Sequence, residues 1–199
     1  MKKTEIHPYL DTVGNITVGN GMNVDNWNIF RTIHWEIDGR PATEQEVRVM
    51  YDELGRQRKR LQKEYDELME FKRLYPQKYA ALPESQKKEH GPFNYTAKYY
   101  KKFTTIRITN DEADFLMYSH LQDDYDTIKG FLDDFDNSLV GIQEAAFDIQ
   151  YNTGNIRSFN KFKKAYNSNN IDELAKQSGR KIISKERNDD IKNRILKTK

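Results

Sequence analysis

The chain of 199 residues lacks several residue types and patterns, and each absence excludes a class of structure. It contains no cysteine, which excludes a disulfide framework, thiolate catalysis and zinc–thiolate sites. Its 33 basic and 31 acidic residues give a formal net charge of only +2, so it lacks the basic excess typical of nucleic-acid-binding proteins. No stretch approaches the roughly 18 apolar residues that suggest a membrane span. We therefore expect a soluble protein without a nucleic-acid or membrane partner.

The pattern of apolar and polar residues changes along the chain. Residues 1–34 alternate apolar and polar side chains between glycines, which indicates β-structure. Residues 42–75 carry apolar side chains at helical spacing among charges, and Pro76 follows. This stripe predicts an amphipathic helix that packs within the protein, with a coiled-coil dimer or a membrane-surface helix as the alternatives. From Thr109 onward the pattern is helical, with an apolar helix that begins at Leu139 and stops at Gly154.

Residues 5–21 carry more chemical information than any other stretch. Two carboxylates, Glu5 and Asp11, stand near the hydroxyl of Thr17 in a short segment that also contains three glycines. The turn-like residues 12–15, followed by the alternating residues 16–19, predict a β-hairpin with polar side chains at its turn. A pair of acids beside such a hairpin suits glycoside hydrolysis, in which one acid protonates the leaving oxygen and a carboxylate activates water or stabilises the cation.

The hairpin pattern Tyr9-x-Asp11-Thr12-x-Gly14-x-x-Thr17-x-Gly19-x-Gly21 resembles the active-site hairpin of the phage-type lysozymes, the endolysin family of the T-even phages and related muramidases. Two further segments are similar to that family. They are the apolar helix that ends in Tyr151-Asn152-Thr153-Gly154 and the C-terminal segment Ser184-Lys185-Glu186-Arg187-Asn188. The resemblance covers roughly residues 1–34 and 104–199, so residues 35–103 are expected to be a helical insertion.

The resemblance implies a role for each matching residue. Glu5 is expected to be the general acid, and Asp11 and Thr17 are expected to position and activate the attacking water. Arg187 is expected to hold Glu5 by a charge-assisted hydrogen bond, and Asn152 to bind sugar acetamides. Gly19 and Gly21 are expected to support the substrate site. Glu5 stands six positions before Asp11, whereas the family usually has nine, and Ile6 follows it where the family often has glycine.

The implied fold is α+β and lysozyme-like, with a small β-hairpin lobe at 1–34, a helical insertion at 35–103 and a mainly helical lobe at 104–199. The implied activity is that of a peptidoglycan hydrolase, a lysozyme that cleaves between N-acetylmuramic acid and N-acetylglucosamine and inverts the anomeric carbon. We expect a monomer that binds bacterial glycan strands, needs no cofactor or metal, and uses the insertion for a protein partner. No apolar stretch follows Lys2 and Lys3, so we expect no signal peptide here. Delivery to the wall is therefore expected to use a holin, an injection apparatus or a larger parent protein.

Other interpretations remain open for the same residues. The glycines could serve only the hairpin geometry, Thr17 could be an ordinary strand residue, and Arg187 could form a surface ion pair. The scattered histidines lack the spacing of metal ligands, and the aspartates at 133–136 lack a calcium-binding loop. The whole chain could also be a catalytically inactive lysozyme-like binding module, or a helical adaptor that dimerises through 42–75.

Overall fold

The computed structural model describes residues 5–93, 95–180 and 183–197, with the backbone alone at Glu5. The protein is α+β, with a small antiparallel sheet and a mainly helical body, which confirms the predicted class. Within the described ranges, no helix is both long enough and apolar enough to cross a bilayer.

The N-terminal elements form the predicted hairpin and extend it by a third strand. The three strands are β1 (Glu5–Leu10), β2 (Ile16–Gly19) and β3 (Met22–Asn23), and a separate antiparallel ribbon consists of β4 (Glu36–Ile37) and β5 (Arg40–Pro41). Strand β1 pairs antiparallel with β2, and β2 pairs with β3, so that Tyr9 lies opposite Thr17 and Leu10 lies opposite Ile16. A shift in register between Glu5 and Tyr9 marks an irregularity in β1.

Helices account for most of the remaining chain. The first six are α1 (Trp27–Phe30), α2 (Glu44–Leu74), α3 (Pro76–Ala80), α4 (Glu84–Lys87), α5 (Ala97–Tyr100) and α6 (Asn110–Lys129). They are followed by α7 (Val140–Thr153), α8 (Asn160–Asn167), α9 (Ile171–Gln177) and α10 (Lys185–Leu196). Short 3-10 turns lie at Lys101–Phe103, Phe135–Asn137 and Ile156–Ser158.

The predicted amphipathic helix is α2, and its apolar stripe packs within the chain. Val47, Leu54 and Leu61 are buried in the same core as the N-terminal strands. Thr43 caps the helix by accepting a hydrogen bond from the N–H of Glu46, whose carboxylate accepts one from the N–H of Thr43. Burial of the first half of the stripe supports packing inside the protein over a dimeric coiled coil.

The chain divides into two compact units, Met1–Tyr118 and Ser119–Lys199, so the division falls within α6. Each unit has its own hydrophobic core. The boundaries that the sequence predicted, at 34/35 and 103/104, stay predictions. Residues of the predicted insertion and of the segment 104–118 pack into one core with the hairpin; they are Leu54, Leu61, Tyr100, Ile106, Ile108, Ala113 and Leu116. That 35–103 is an insertion relative to the lysozyme family stays a prediction.

The apolar helix α7 ends as predicted. Gly154 adopts a left-handed conformation with a φ of 64°, and its N–H donates to the carbonyl of Gln150 at 2.7 Å. One face of α7 is buried in the second core through Ala145, Ala146 and Ile149. The same helix carries Asp148 and Asn152, which are described below.

Candidate active site

Residues 11–15, termed the Asp11 turn, connect β1 to β2 and are organised by the carboxylate of Asp11. Its Oδ1 accepts hydrogen bonds from the N–H groups of Val13 at 3.0 Å and Asn15 at 2.9 Å. The backbone closes the same loop, because the N–H of Asp11 donates to the carbonyl of Asn15 and the N–H of Gly14 donates to the carbonyl of Asp11. Asp11 thus has an observed structural role, that of an Asx-type turn residue.

Thr17 lies beside this turn on β2 and is only 3% exposed. Its hydroxyl donates to the carbonyl of Asn15 at 3.2 Å. Asn15 therefore contacts both predicted water-activating residues, through its N–H to Asp11 and its carbonyl to Thr17. Because the hydroxyl gives its proton to Asn15, its oxygen keeps acceptor capacity only. The shared activation of a water by Asp11 and Thr17 stays a prediction.

Glu5, the predicted general acid, begins β1, and its backbone lies opposite Gly19 of β2. The resemblance to the phage-type lysozymes leads one to expect a helix end at the acid, whereas Glu5 lies on a strand. The side chain of Glu5 is outside the part of the chain that the structure describes. Its role as the acid stays a prediction.

Gly19 and Gly21 have a conformational role in the connection from β2 to β3. Their φ angles are +62° and +99°, in the region that favours glycine. The N–H of Gly21 donates to the carbonyl of Val18 at 3.3 Å, which closes the turn. A Cβ at Gly19 would meet Ala113 at an ordinary contact distance of 3.6 Å, so the dihedral angle, and not crowding, requires glycine there. Support of a substrate by either glycine stays a prediction.

The two predicted supporting residues of the C-terminal part, Asn152 and Arg187, are both bonded to Asp148 of α7. Arg187, on α10, donates to Asp148 Oδ1 from Nε at 3.1 Å and from Nη2 at 2.5 Å. Asn152, one turn along α7, donates from Nδ2 to the same Oδ1 at 3.1 Å and to the carbonyl of Asp148 at 2.7 Å. Their binding of Glu5 and of sugar acetamides stays a prediction.

A second arginine completes this arrangement. The side chain of Arg180 is 1% exposed, and its Nη2 forms an ion pair with Asp148 Oδ2. Its Nη1 donates to the carbonyl of Asp148 at 2.7 Å. The backbone of Arg180 is held as well, because Asn188 accepts from its N–H and donates to its carbonyl. We call the four residues Asp148, Asn152, Arg180 and Arg187 the Asp148 cluster.

Asp148 and Arg180 are not among the site residues predicted from the sequence. A signal for Asp148 is present, since it is a carboxylate four residues before Asn152 in a helix whose neighbouring positions 145, 146 and 149 are buried. A charge in that setting requires a partner. Arg180 lies between helices α9 and α10 with no comparable pattern, and its contact with Asp148 spans 32 positions of sequence.

Among the described residues, two histidines pair with carboxylates, and each pair lies within one of the two compact units. His34 contacts Glu112 at 3.0 Å, and the backbone N–H of His34 donates to the same carboxylate. His120 lies 3.6 Å from the buried Asp124, which also accepts from Gln150. Across the described ranges, no three histidine or carboxylate side chains converge as metal ligands.

Asp136, one of the aspartates at 133–136, accepts hydrogen bonds from Lys129 at 2.6 Å and from the Tyr125 hydroxyl at 2.6 Å. The hydrogen bond from Lys129 is the main cause that lowers the pKa of the Asp136 carboxyl. This geometry is that of a surface ion pair.

Comparison of the chain with protein-family models, with curated proteins and with solved structures finds no match in any of the three. The functional assignment therefore depends on the residues and their geometry.

Proposed function

We propose that the protein is a peptidoglycan hydrolase of the lysozyme type, which cleaves the bond between N-acetylmuramic acid and N-acetylglucosamine. The observation that carries the proposal is the Asp11 turn. The segment that resembles the active-site hairpin of phage-type lysozymes does form a hairpin, with the partly exposed Asp11 at its turn and Thr17 on the neighbouring strand. The helix that ends at Gly154 supports it as the second similar segment.

The proposed chemistry assigns one role to each carboxyl group. Glu5 protonates the leaving glycosidic oxygen, and Asp11 accepts a proton from the water that attacks the anomeric carbon on the opposite face. Asp11 Oδ1 is used by the turn, so Oδ2 is the oxygen assigned to the water. The two backbone N–H groups that bond to Oδ1 also fix the orientation of the Asp11 carboxylate, which is the proposed base. Thr17 contributes its hydroxyl oxygen as an acceptor.

The experiment that tests this proposal uses purified bacterial sacculi and measures new reducing ends. Wild type should release glycan fragments that end in reducing N-acetylmuramic acid. Glu5→Gln and Asp11→Asn should lower the rate at least about 100-fold, since each removes a group that transfers a proton. Asp38→Asn is the matched control, because Asp38 lies in the turn of the β4–β5 ribbon and takes no part in the proposed chemistry. Absence of reducing ends with wild type contradicts the proposal.

A catalytically inactive lysozyme-like binding module is the second candidate, and one observation favours it. The Asp11 carboxylate and the Thr17 hydroxyl both bond to the backbone of the turn, as they would in a hairpin that needs them only for stability. This candidate predicts that wild type and Asp11→Asn sediment equally with intact sacculi and that neither releases fragments. Cosedimentation and reducing-end release from the same samples separate the two functions.

A further inference from the structure

The second compact unit contains a pocket of about 180 Å³ that the proposed reaction does not use. It lies between the segment 134–142, which leads into α7, and the segment 165–174, which runs from the end of α8 into α9. A cavity of about 150 Å³ can hold one benzene ring. The pocket therefore has room for a ligand the size of a single six-membered ring.

The inner side of the pocket is apolar, and a tyrosine lines it. Ile142, Ala165 and Leu174 are buried there. Tyr166 is half-buried, and its hydroxyl donates to the carbonyl of Asp133 at 2.7 Å, which holds the aromatic ring in place. The C–H faces of a sugar ring can pack on such aliphatic and aromatic side chains, as the apolar parts of ligands do in most binding pockets.

The outer side of the pocket carries polar side chains with hydrogen-bonding capacity that the fold does not use. Because Tyr166 gives its proton to Asp133, the 2.6 Å bond between Tyr166 and Ser138 is donated by the serine, whose oxygen keeps acceptor capacity. Asn137 Nδ2 donates to Asp134 Oδ1 at 2.5 Å, which leaves Asn137 Oδ1 and Asp134 Oδ2 without a donor among the described residues. Hydroxyl groups of a ligand are donors that suit these acceptors.

Two residues of the pocket have a backbone conformation that glycine adopts with less strain. Asp134 and Asn169 have φ angles of 55° and 52°. Within the described part of the chain, the amide of the Asn169 side chain forms no hydrogen bond. The fold therefore gains no hydrogen bond from this side chain, whereas a ligand in the pocket would lie beside its amide.

We infer that this pocket binds one pyranose ring of a neutral sugar. A C–H face of the ring packs on Tyr166 and on the apolar inner side, and its hydroxyl groups bond to the polar outer side. The Asp134 carboxylate accepts from hydroxyl groups, and its negative charge disfavours an acidic sugar. The pocket shares no described residue with the Asp11 turn or with the Asp148 cluster, so the inference does not depend on the proposed function.

The first measurement is a titration with N-acetylglucosamine that follows the backbone signals in ¹H–¹⁵N spectra. Saturable shifts are expected at residues 137–139 and 169–171, with a dissociation constant in the millimolar range. Sorbitol keeps the hydroxyl groups without the ring, and cyclohexanol keeps a ring with a single hydroxyl, so neither should cause saturable shifts there. Absence of shifts with N-acetylglucosamine, or equal shifts with either control compound, overturns the inference. Shifts confined to residues 11–17 would support the proposed function and would also overturn the inference.

The second measurement repeats the titration with Asn169→Gly, which removes the amide. The variant should remain fully folded, because glycine adopts this φ without strain. Loss of the hydrogen bonds to the amide should weaken the binding of N-acetylglucosamine about fivefold to tenfold. Asp38→Gly is the matched control, because Asp38 has a φ of 49° but lies in the other compact unit, and it should bind as wild type does. Wild-type affinity in Asn169→Gly overturns the inference.

The third measurement uses Asp134→Asn, which keeps a carbonyl acceptor for Asn137 but removes the charge. Hydrogen bonds to a charged acceptor are the stronger ones, so this variant should weaken binding about tenfold. A folded Asp134→Asn variant with wild-type affinity contradicts the role assigned to the carboxylate. These readouts are binding constants, so they decide the inference even if the protein releases no fragments from sacculi.

Discussion

The Asp11 turn and the Asp148 cluster are both built on a carboxylate that is not fully exposed, but they satisfy it in different ways. Asp11 accepts from backbone N–H groups two and four positions away, within one turn of the hairpin. Asp148 binds guanidinium groups 32 and 39 positions away, on other segments of the chain. The first arrangement depends on local conformation. The second depends on the packing of α7 against α10 and against the segment that carries Arg180.

This difference predicts different responses to substitution. A local turn can keep its geometry with any side chain that supplies the same acceptor, whereas a charge network is sensitive to the loss of a single charge. The following variants test that distinction.

The largest effect is expected from Asp148→Asn. It removes the only carboxylate that contacts Arg180 among the described residues, and breaking one partner of a buried ion pair costs about 3 to 5 kcal/mol of unfolding free energy. Urea or thermal denaturation measures this loss. Glu144→Gln, which breaks an exposed ion pair between α7 and α10, should cost less than about 1 kcal/mol. Equal losses in the two variants would contradict the distinction.

Gly14→Ala should destabilise the Asp11 turn by about 2 to 3 kcal/mol. The φ of Gly14 is +91°, and an added Cβ would come within 2.6 Å of Phe93 Cε2. Gly39→Ala is the control, because Gly39 has a φ of +82° but nothing within 4 Å of its added Cβ. Gly39→Ala should lower the unfolding free energy by about 1 to 2 kcal/mol, through the strained backbone conformation alone. Thermal unfolding of both variants separates backbone strain from the clash, and equal values would show that Phe93 does not confine the turn.

Asp11→Ala should lower the unfolding free energy by about 1 kcal/mol, because the N–H groups of Val13 and Asn15 lose their side-chain acceptor. Asp11→Asn retains a carbonyl oxygen that can accept both bonds, so its stability should remain within about 0.5 kcal/mol of wild type. Denaturant unfolding distinguishes these outcomes. A large loss in Asp11→Asn would mean that the turn depends on the charge, as the Asp148 cluster does.

The smallest effect is expected at Glu46, at the start of α2, whose hydrogen bonds also come from residues nearby in the sequence. The hydrogen bond from Arg40, followed by those from Thr43, lowers the pKa of this carboxyl to about 2 in the folded protein. A lowered pKa means that the ionised group stabilises the fold above its ordinary pKa of about 4.5 and loses that contribution as the pH falls toward 2. The Tm of Glu46→Gln should therefore lie slightly below wild type at pH 7, and the difference should vanish near pH 2. Glu44→Gln removes a carboxylate from the same helical turn without touching those bonds and is the control.

The local parts of the fold could be predicted from the sequence. The hairpin, the helix α2 and the helix stop at Gly154 follow from periodicity, capping residues and glycine, all of which act over a few positions. Thr109 also caps α6 as its pattern predicts, by accepting from the N–H of Glu112 at 3.0 Å. These features required no knowledge of the tertiary structure.

The parts that the sequence did not reveal all depend on distant contacts. The carboxylate of Glu112 bonds to His34, 78 positions away, and no local pattern indicates that pairing. The segment 104–118 packs into the first core because Ile106 and Ile108 are buried there. Asn152 and Arg187 share Asp148, which only the packing of α7 and α10 brings to Arg187. No pattern within a short window encodes such pairings.

We propose that Asp11 has a chemical role in addition to its role in the turn, and one variant tests this most directly. Asp11→Asn retains the acceptor for Val13 and Asn15 but removes the charge that the proposed reaction needs. The measurement is its rate of reducing-end release from sacculi relative to wild type, at a temperature at which both proteins are fully folded. We predict wild-type stability with a rate lowered at least about 100-fold. A folded Asp11→Asn variant that releases reducing ends at the wild-type rate would contradict the claim and leave Asp11 with its structural role alone.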